Sequence, residues 1–318
     1  ADPATETILD CGLVSAPGPT GCVVIWRGGT SRITIRNGAT SGALVHAGRA
    51  GLAGGLNAVL FRTDLVGGQR AFRIQHNSAA QAGIASTAVI SQSILRDSFG
   101  SFAFGWQVQL SNAAVGSSVD LLVKNCTIAR TRFGGFVAGL TSGLTITVRS
   151  EHNLYMNNHA ALELDPARDA VALASSTGNT LDVTTESDRF LSNGPFSNSL
   201  SPTYWPSVGA ISAKTAFRTE PAAGPHSNNR MRLTIRDPFF LDNSPADLLA
   251  YAAVSMDGGV PQAFAATEPA GVNNVLEVSI EAERGGRFIY CNSVPADPSG
   301  TDVVISDSPR LIENCSQR

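Results

Sequence analysis

One pattern of apolar and polar positions returns along the chain. It consists of a short run of β-branched or apolar residues, a few polar residues, one apolar anchor, two spacers and an asparagine. Clear copies end at Asn193, Asn243 and Asn314, and looser copies end at Asn157 or Asn158 and at Asn292. Two earlier segments fit with Asp97 and Thr131 at the asparagine position. Such a repeat predicts a solenoid, because one strand–turn–strand unit buries its apolar face only against a neighbouring unit.

The periodicity inside each copy is typical of β-strands. Leu181, Val183 and Thr185 alternate with polar neighbours, which is the period of two of a strand with one buried face. A second short run, such as residues 161–165, follows the asparagine in most copies. The steps between markers range from 22 to 50 residues. We therefore expect coils of similar size with long loops inserted between some of them.

The recurrent asparagine has two jobs that suit a tight turn. Asn tolerates the left-handed αL conformation, so it can lie where the chain bends between two strands. In stacked coils its amide can also bind the asparagine or the turn backbone of the next coil. The anchors three residues earlier, Phe190, Phe240 and Leu311, are predicted to be buried and stacked.

This pattern resembles the right-handed parallel β-helix superfamily of pectate lyases, polygalacturonases, phage tailspikes and bacterial adhesins. The resemblance covers about residues 30 to 318 and concerns architecture, since the superfamily includes enzymes and non-enzymes. It implies an all-β fold, a right-handed parallel β-helix (solenoid) with long loop insertions between coils. We expect residues 1–30 to form an N-terminal disulfide-bearing cap segment and residues 31–318 to form the parallel β-helix domain.

The five cysteines predict two disulfides and one thiol. Cys11 and Cys22 flank a turn-rich stretch, whereas Cys291 and Cys315 lie beside successive marker asparagines. Cys126 lies in a strand-like run and is expected to be a buried thiol. Bridges Cys11–Cys22 and Cys291–Cys315 would close the two ends of the stack and indicate an oxidising compartment. The alternative is five thiols in a cytosolic protein. The chain begins at Ala1, which fits a secreted protein whose signal peptide has been removed.

Composition and charge narrow the range of partners. A chain of 318 residues with 43% hydrophobic residues and 31 glycines fits many short strands and turns. The net charge of −3 without a basic cluster gives no reason to expect a nucleic-acid partner. The sequence has no apolar run of 18 residues, so no membrane span is expected.

The candidate chemistry is a set of charged residues seven positions before the markers. The set comprises Lys124, Glu151, Glu186, Arg236 and Asp307. Strands stacked about 4.8 Å apart would turn this set into a column of charge. A carboxylate column can bind calcium, and a carboxylate pair can act as acid and base on a glycoside. The alternative is a solvated face on which mixed signs reduce repulsion.

Two sets of site residues follow from this column. If the protein is an enzyme, the expected catalytic groups are Glu151, Glu186, Asp188 and Arg189. The candidate metal ligands are Glu151, His152, His159 and Glu163, although their spacing matches no recognised zinc motif. No other cofactor is expected.

Two functions of different classes are consistent with the sequence. The first is a secreted, non-enzymatic structural or adhesive protein of the extracellular space or cell surface that associates with copies of itself. The second is a polysaccharide lyase or glycoside hydrolase that acts on an acidic polysaccharide along a β-helix groove. The catalytic motifs of polygalacturonases, pectin methylesterases and pectate lyases do not occur in the sequence, which favours the first. The β-prone segment 5–9 either adds to the open edge of a neighbouring copy or folds back on its own first coil.

Overall fold

The computed structural model describes residues 6–10, 32–37, 43–47, 57–76, 79–98, 103–111, 114–168, 176–194, 210–218, 226–244, 246–257, 260–263, 271–281, 288–291, 302–306 and 312–314. These residues are almost entirely β-structure, with one single-turn 3₁₀ helix at Ala79–Gln81. The strands of the first half are β1 Glu6–Asp10, β2 Arg32–Asn37, β3 Ala43–Ala47, β4 Asn57–Phe61, β5 Thr63–Gly67, β6 Arg70–His76, β7 Ala85–Ser91, β8 Ile94–Arg96, β9 Phe104–Ser111, β10 Ser118–Lys124, β11 Thr127–Ala129, β12 Phe133–Leu140, β13 Thr145–Glu151 and β14 Leu154–Met156. Those of the second half are β15 Ala160–Asp165, β16 Thr180–Glu186, β17 Arg189–Leu191, β18 Ile211–Arg218, β19 His226–Ser227, β20 Arg230–Arg236, β21 Phe239–Leu241, β22 Leu248–Asp257, β23 Val260–Ala263, β24 Gly271–Val272, β25 Val275–Glu281, β26 Phe288–Cys291, β27 Asp302–Ser306 and β28 Ile312–Asn314.

Nearly all strands belong to three parallel sheets. Sheet 1 has the order β1-β2-β5-β8-β11-β14-β17-β21, sheet 2 the order β3-β6-β9-β12-β15-β18-β22-β26-β28, and sheet 3 the order β4-β7-β10-β13-β16-β20-β25-β27. The exceptions are β23, which pairs antiparallel with β22, and the small pair β19–β24. From β4 to β18 the chain visits sheets 3, 1 and 2 in turn, so each strand stacks on the strand one repeat earlier. The predicted all-β, solenoid-like stacking of parallel strands is therefore confirmed.

The three sheets share one hydrophobic core because their strands alternate. In β16 the side chains of Leu181 and Val183 are buried and those between them are partly exposed. Sheet 1 contributes Leu65 and Phe190 to the same cluster, and sheet 2 contributes Trp106. The strands of sheet 2 differ, since every residue of β12 and β15 is buried. Both faces of sheet 2 are therefore buried at β12 and β15, whereas the outer face of sheet 3 is exposed.

Each turn between sheets contains a residue at positive φ. The residue after it stacks on the equivalent residues of the neighbouring coils. From sheet 3 to sheet 1 the positive-φ residues are Arg62, Gln92, Asn125, His152, Ser187 and Asp237; from sheet 1 to sheet 2 they are Gly67, Gly68, Asp97, Arg130, Asn157, Ser192 and Asp242; from sheet 2 to sheet 3 they are Gly83, Gly116, Gly143, Gly178, Asn228 and Asn273. A residue in the αL conformation bends the chain sharply, and Gly, Asn and Asp adopt it most readily. The bends therefore recur at equivalent positions in successive coils.

The residue after each bend holds the stack together. The Asn193 Oδ1 atom accepts the backbone N–H of Asn158 at 3.2 Å and its side-chain N–H at 3.1 Å. Asn243 does the same for Asn193, at 3.0 Å for both bonds. A second ladder through Asn179, Asn229 and Asn274 follows the bend from sheet 2 to sheet 3. The predicted asparagine ladder is confirmed, and the second ladder is an addition.

Two details of the predicted turn were wrong. The marker asparagines Asn158, Asn193 and Asn243 are not the αL residues, because the positive φ belongs to the residue before each of them. The reason is that the amide must face along the stack to reach the next coil. In the early copy Ser98 takes the column position, since Asp97 is the register equivalent of Arg130 at the bend.

The predicted aromatic anchors form a stack that loosens at its end. Phe190 is fully buried, and its ring lies 5.4 Å from the ring of Tyr155 and 5.1 Å from that of Phe240. Phe240 is only partly buried, so the prediction of full burial was wrong for this residue. It lies on β21, the last described strand of sheet 1. Leu311 lies outside the described residues.

The N-terminal strand and the cysteines complete the picture. Strand β1 pairs with β2 of the same chain, with Glu6 opposite Arg32, so the described part of this segment, from Glu6 onwards, takes the fold-back alternative. Cys126 is a buried thiol, as predicted, and its Sγ atom lies 3.2 Å from the Lys124 carbonyl oxygen. Cys11, Cys22 and Cys315 and the Cys291 side chain lie outside the described residues.

No helix in the described ranges is long and apolar enough to cross a membrane.

Candidate functional site

The predicted column of charge exists on the outer face of sheet 3. Lys124, Glu151, Glu186 and Arg236 occupy the same register position in β10, β13, β16 and β20. Glu281 of β25 continues the column, whereas Asp307 lies outside the described residues. The sequence spacing located this column because residues seven positions before the ladder residue fall at the end of each strand.

The charges of this face mostly pair with each other. Lys124 Nζ lies 2.8 Å from Glu151 Oε2 in the next strand. Arg149 and Asp120 approach to 3.3 Å, and Arg232 and Glu277 to 3.0 Å. Exposed pairs of this kind contribute at most about 1 kcal/mol each. They do, however, occupy the carboxylates, so Glu151 already has a cationic partner.

The four predicted catalytic residues do not share one surface. Glu151 and Glu186 are neighbours in the column on sheet 3. Asp188 is 1% exposed, and its Oδ1 atom accepts the Asn153 backbone N–H at 2.6 Å. Arg189 is exposed, and its guanidinium lies 5.2 Å from the Phe239 ring on sheet 1. The turn at Asp188 thus separates the two glutamates from the arginine.

Burial changes the chemistry of Asp188. It raises the pKa of this carboxyl to about 7, against the opposing effect of hydrogen bonds from Ser150 and Asn153. The Oδ2 atom has no hydrogen-bond partner. Asp188 therefore takes the place of a ladder residue, equivalent to Asn153 one coil earlier.

The predicted metal ligands fall into two separate pairs. Glu151 and His152 lie at the end of β13 and in the following turn, where His152 has a φ of 55°. His159 and Glu163 belong to the next turn and to β15 of sheet 2, and both are buried. Within the described part of the chain, no group of three or more His, Cys, Asp or Glu residues is arranged to hold a metal ion.

A second charged cluster, which the sequence did not predict, lies on the outer face of sheet 2. Lys214 Nζ of β18 lies 2.5 Å from Glu163 Oε1 and 3.8 Å from Asp165 Oδ1, both of β15. It also donates to Ser212 Oγ at 2.7 Å. Arg168 Nη1 lies 2.7 Å from Asp165 Oδ2. We call Glu163, Asp165, Arg168 and Lys214 the buried cluster, because Glu163 and Asp165 are fully buried and Lys214 is 2% exposed.

The electrostatics of the buried cluster are those of a site removed from water. Burial raises the pKa of Asp165 although Lys214 and Arg168 oppose the shift. Burial and the charge of Arg132 lower the pKa of the adjacent His159 to about 4. Glu163 Oε2 and Asp165 Oδ1 have no hydrogen-bond partner. Buried charges that are incompletely paired cost stability and concentrate at functional sites.

A sequence signal for this cluster existed but was ambiguous. Glu163 and Asp165 are two residues apart in a strand-like segment, and Lys214 is one of only two lysines in the chain. Strand alternation alone places polar residues on a face that is normally solvated. Only the pairing of β18 with β15 brings Lys214 beside Glu163 and Asp165.

Comparisons with models of known protein families, with curated proteins and with solved structures found no match. The residues described above offer two arrangements of charge as candidate sites. One is the exposed column on sheet 3, and the other is the buried cluster on sheet 2.

Proposed function

We propose that this chain is a right-handed parallel β-helix that acts as a secreted structural or adhesive protein and associates with copies of itself. The observation that carries the proposal is the apolar outer face of sheet 1. Outward positions of its strands hold the apolar residues Ile94, Leu154, Met156, Leu191, Phe239 and Leu241, all partly or well exposed, beside Arg96 and Arg189. Exposed apolar residues grouped on one face and edged by charges are typical of interaction sites.

The other exposed sheet supports the same proposal by contrast. The outer face of sheet 3 carries mainly threonines and paired charges, such as Arg149 with Asp120, with an exposed Val59 at β4. Such a face is largely solvated. On sheet 1 the exposure is largest at β21, where Leu241 is 48% exposed. We infer that a second copy covers this face, because two copies related by a twofold axis can bury the same apolar residues against each other.

Two matched substitutions test this proposal. Leu241→Lys places a charge in the apolar face. In sedimentation velocity the variant should therefore be monomeric, whereas the native protein should be associated. Leu122→Lys is the control, because Leu122 is a partly exposed outward residue of sheet 3 and should leave assembly unchanged. A native protein that stays monomeric at high concentration, or a Leu241→Lys variant that assembles like the native one, would refute self-association.

A second candidate function is a polysaccharide lyase or glycoside hydrolase, favoured by the buried cluster. Glu163 Oε1 and Asp165 Oδ1 both face the ammonium group of Lys214. Two carboxyls so placed can act as acid and base at a glycosidic bond, and a lysine can remove a proton beside a carboxyl group.

Activity assays on acidic polysaccharides distinguish the two candidate sites. Formation of unsaturated ends indicates a lyase, and formation of reducing ends indicates a hydrolase. Glu163→Gln should abolish either activity if the buried cluster is the site, whereas Glu186→Gln should abolish it if the column is the site. No turnover of any acidic polysaccharide by the folded native protein argues against this second candidate.

A further inference from the structure

Two arginines of β6 lie together on the outer face of sheet 2 without an anionic partner. Arg70 and Arg73 are on the opposite side from Phe72 and Ile74, which belong to the hydrophobic core. Arg70 Nη1 donates to Gln69 Oε1 at 2.5 Å, and Arg73 Nη2 donates to Gln109 Oε1 at 2.8 Å. Both partners are neutral amides, so neither positive charge is compensated by a described carboxylate.

This situation differs from that of seven other described arginines, which lie close to a carboxylate. They are Arg96, Arg130, Arg149, Arg168, Arg230, Arg232 and Arg236. At Arg70 and Arg73, by contrast, the Nε atoms are buried and have no hydrogen-bond partner. Buried charge without a counter-charge is costly, so an anion that contacts both guanidiniums would relieve their mutual repulsion.

The surroundings of the pair place it in a defined position. The guanidinium of Arg70 lies 5.7 Å from the Phe104 ring, and such a contact holds the planar group against the ring face. Gln107 is the register neighbour of Arg73 on β9. Its Oε1 atom is buried without a partner, while its amide nitrogen donates to Gln109 Oε1 at 3.1 Å.

The electrostatics of the two arginines favour a nearby negative charge. Burial lowers the pKa of Arg73 to about 9, and the nearby charge of Arg70 adds to the shift. Burial also lowers the pKa of Arg70. An anion between the two groups would stabilise both charged forms and reverse these shifts.

We propose that Arg70 and Arg73 form a binding site for an oxyanion such as a carboxylate or sulfate group. The oxyanion accepts hydrogen bonds from the two guanidinium forks, whose planar geometry matches its paired oxygens. The site is separate from the buried cluster and does not depend on self-association. The anion is either free in solution or carried by an acidic glycan chain.

Binding measurements on the native protein separate these sources. Isothermal titration at pH 7 and constant ionic strength uses sodium sulfate, sodium glucuronate, an oligosaccharide of glucuronate, and a neutral oligosaccharide of the same length. Binding of sulfate or glucuronate with no gain for the oligosaccharide identifies a free-anion site. A gain of tenfold or more for the acidic oligosaccharide identifies a glycan site. Absence of binding by all three anions would overturn the proposal and leave water as the occupant.

Matched variants supply a further readout. Arg73→Gln should weaken anion binding at least tenfold, whereas Arg149→Gln, which alters an exposed pair on sheet 3, should not change it. Equal binding by Arg73→Gln and the native protein contradicts the site.

Discussion

Asp188 shows how one residue in a ladder departs from its neighbours. Asn153, one coil earlier, accepts the Cys126 backbone N–H at 2.8 Å and donates to Ser150 Oγ at 3.0 Å. Asp188 accepts the Asn153 N–H in the same way. As a carboxylate it has nothing to donate to Thr185, whose Oγ1 atom is buried without a partner. The position has the geometry of an asparagine and the charge of an aspartate.

We predict that Asp188→Asn stabilises the protein at neutral and alkaline pH. The folded pKa of about 7 exceeds the unfolded value of about 3.9, so the folded state binds the proton more tightly. The stabilisation from this proton is complete below about pH 4 and is lost as the pH rises through about 7. At pH 8 the variant should gain up to about 4 kcal/mol in unfolding free energy, since the folded and unfolded pKa values differ by about three units and one unit corresponds to about 1.4 kcal/mol.

Thermal or urea unfolding at pH 4.5 and pH 8 tests this prediction. The difference between variant and native protein should be small at the lower pH and large at the higher one. Asp120→Asn serves as the control, because Asp120 lies in an exposed pair with Arg149. A gain for Asp188→Asn that is equal at both pH values would show that the carboxyl charge is not its cause.

At the scale of the element, the turn was the part of the fold that the sequence predicted best. The recurrent asparagine indicated a ladder, because few residues can serve as donor and acceptor to the next coil. The sequence could not show which of two neighbours, Asn157 or Asn158, takes the ladder position. Both are asparagines, and one bends the chain with a φ of 53° while the other is buried. The difference is one of stacking direction, which a linear pattern does not contain.

We predict opposite sensitivities for these two residues. The Asn158 Oδ1 atom accepts the Thr131 backbone N–H at 3.1 Å, and its amide donates to the Ile128 carbonyl at 3.1 Å. Asn158→Ala should therefore cost about 3 kcal/mol or more, since each buried group left unpaired costs about 1–3 kcal/mol. Asn157→Gly should change stability by less than about 0.5 kcal/mol, because glycine adopts αL without strain.

Urea unfolding of the two variants beside the native protein gives the comparison directly. A larger loss for Asn157→Gly than for Asn158→Ala would reverse the assignment of bend and ladder.

At the scale of the whole molecule, the sequence predicted the stacked parallel strands but not the charged clusters of sheet 2. Periodic patterns predicted the stacked parallel strands because every coil repeats the same packing. The buried cluster and the Arg70–Arg73 pair could not be predicted, since each depends on which strands of sheet 2 are neighbours. Sheet 2 also lacks the exposed outer face that simple alternation implies, because β12 and β15 are buried throughout.

The pairing of the four cysteines near the two ends of the chain remains a prediction. We expect the bridges Cys11–Cys22 and Cys291–Cys315 to form and to contribute about 2–4 kcal/mol each. Mass spectrometry after alkylation in denaturant without reductant should find one modified thiol, at Cys126. The reduced protein, treated alike, should show five. Modification of all five without reductant would exclude both bridges and remove the support for an oxidising compartment.

The repeated register has a consequence for how such a chain can change in size. Thr145 and Thr180 begin β13 and β16 at the same register position, one coil apart. Excising residues 145–179 would therefore join two equivalent points and delete one complete layer, and duplicating them would add one. The height of the molecule is quantised, with steps of about 4.8 Å, the spacing between paired strands. A protein built in this way can act as a molecular ruler, whose length follows from the number of layers encoded in its gene.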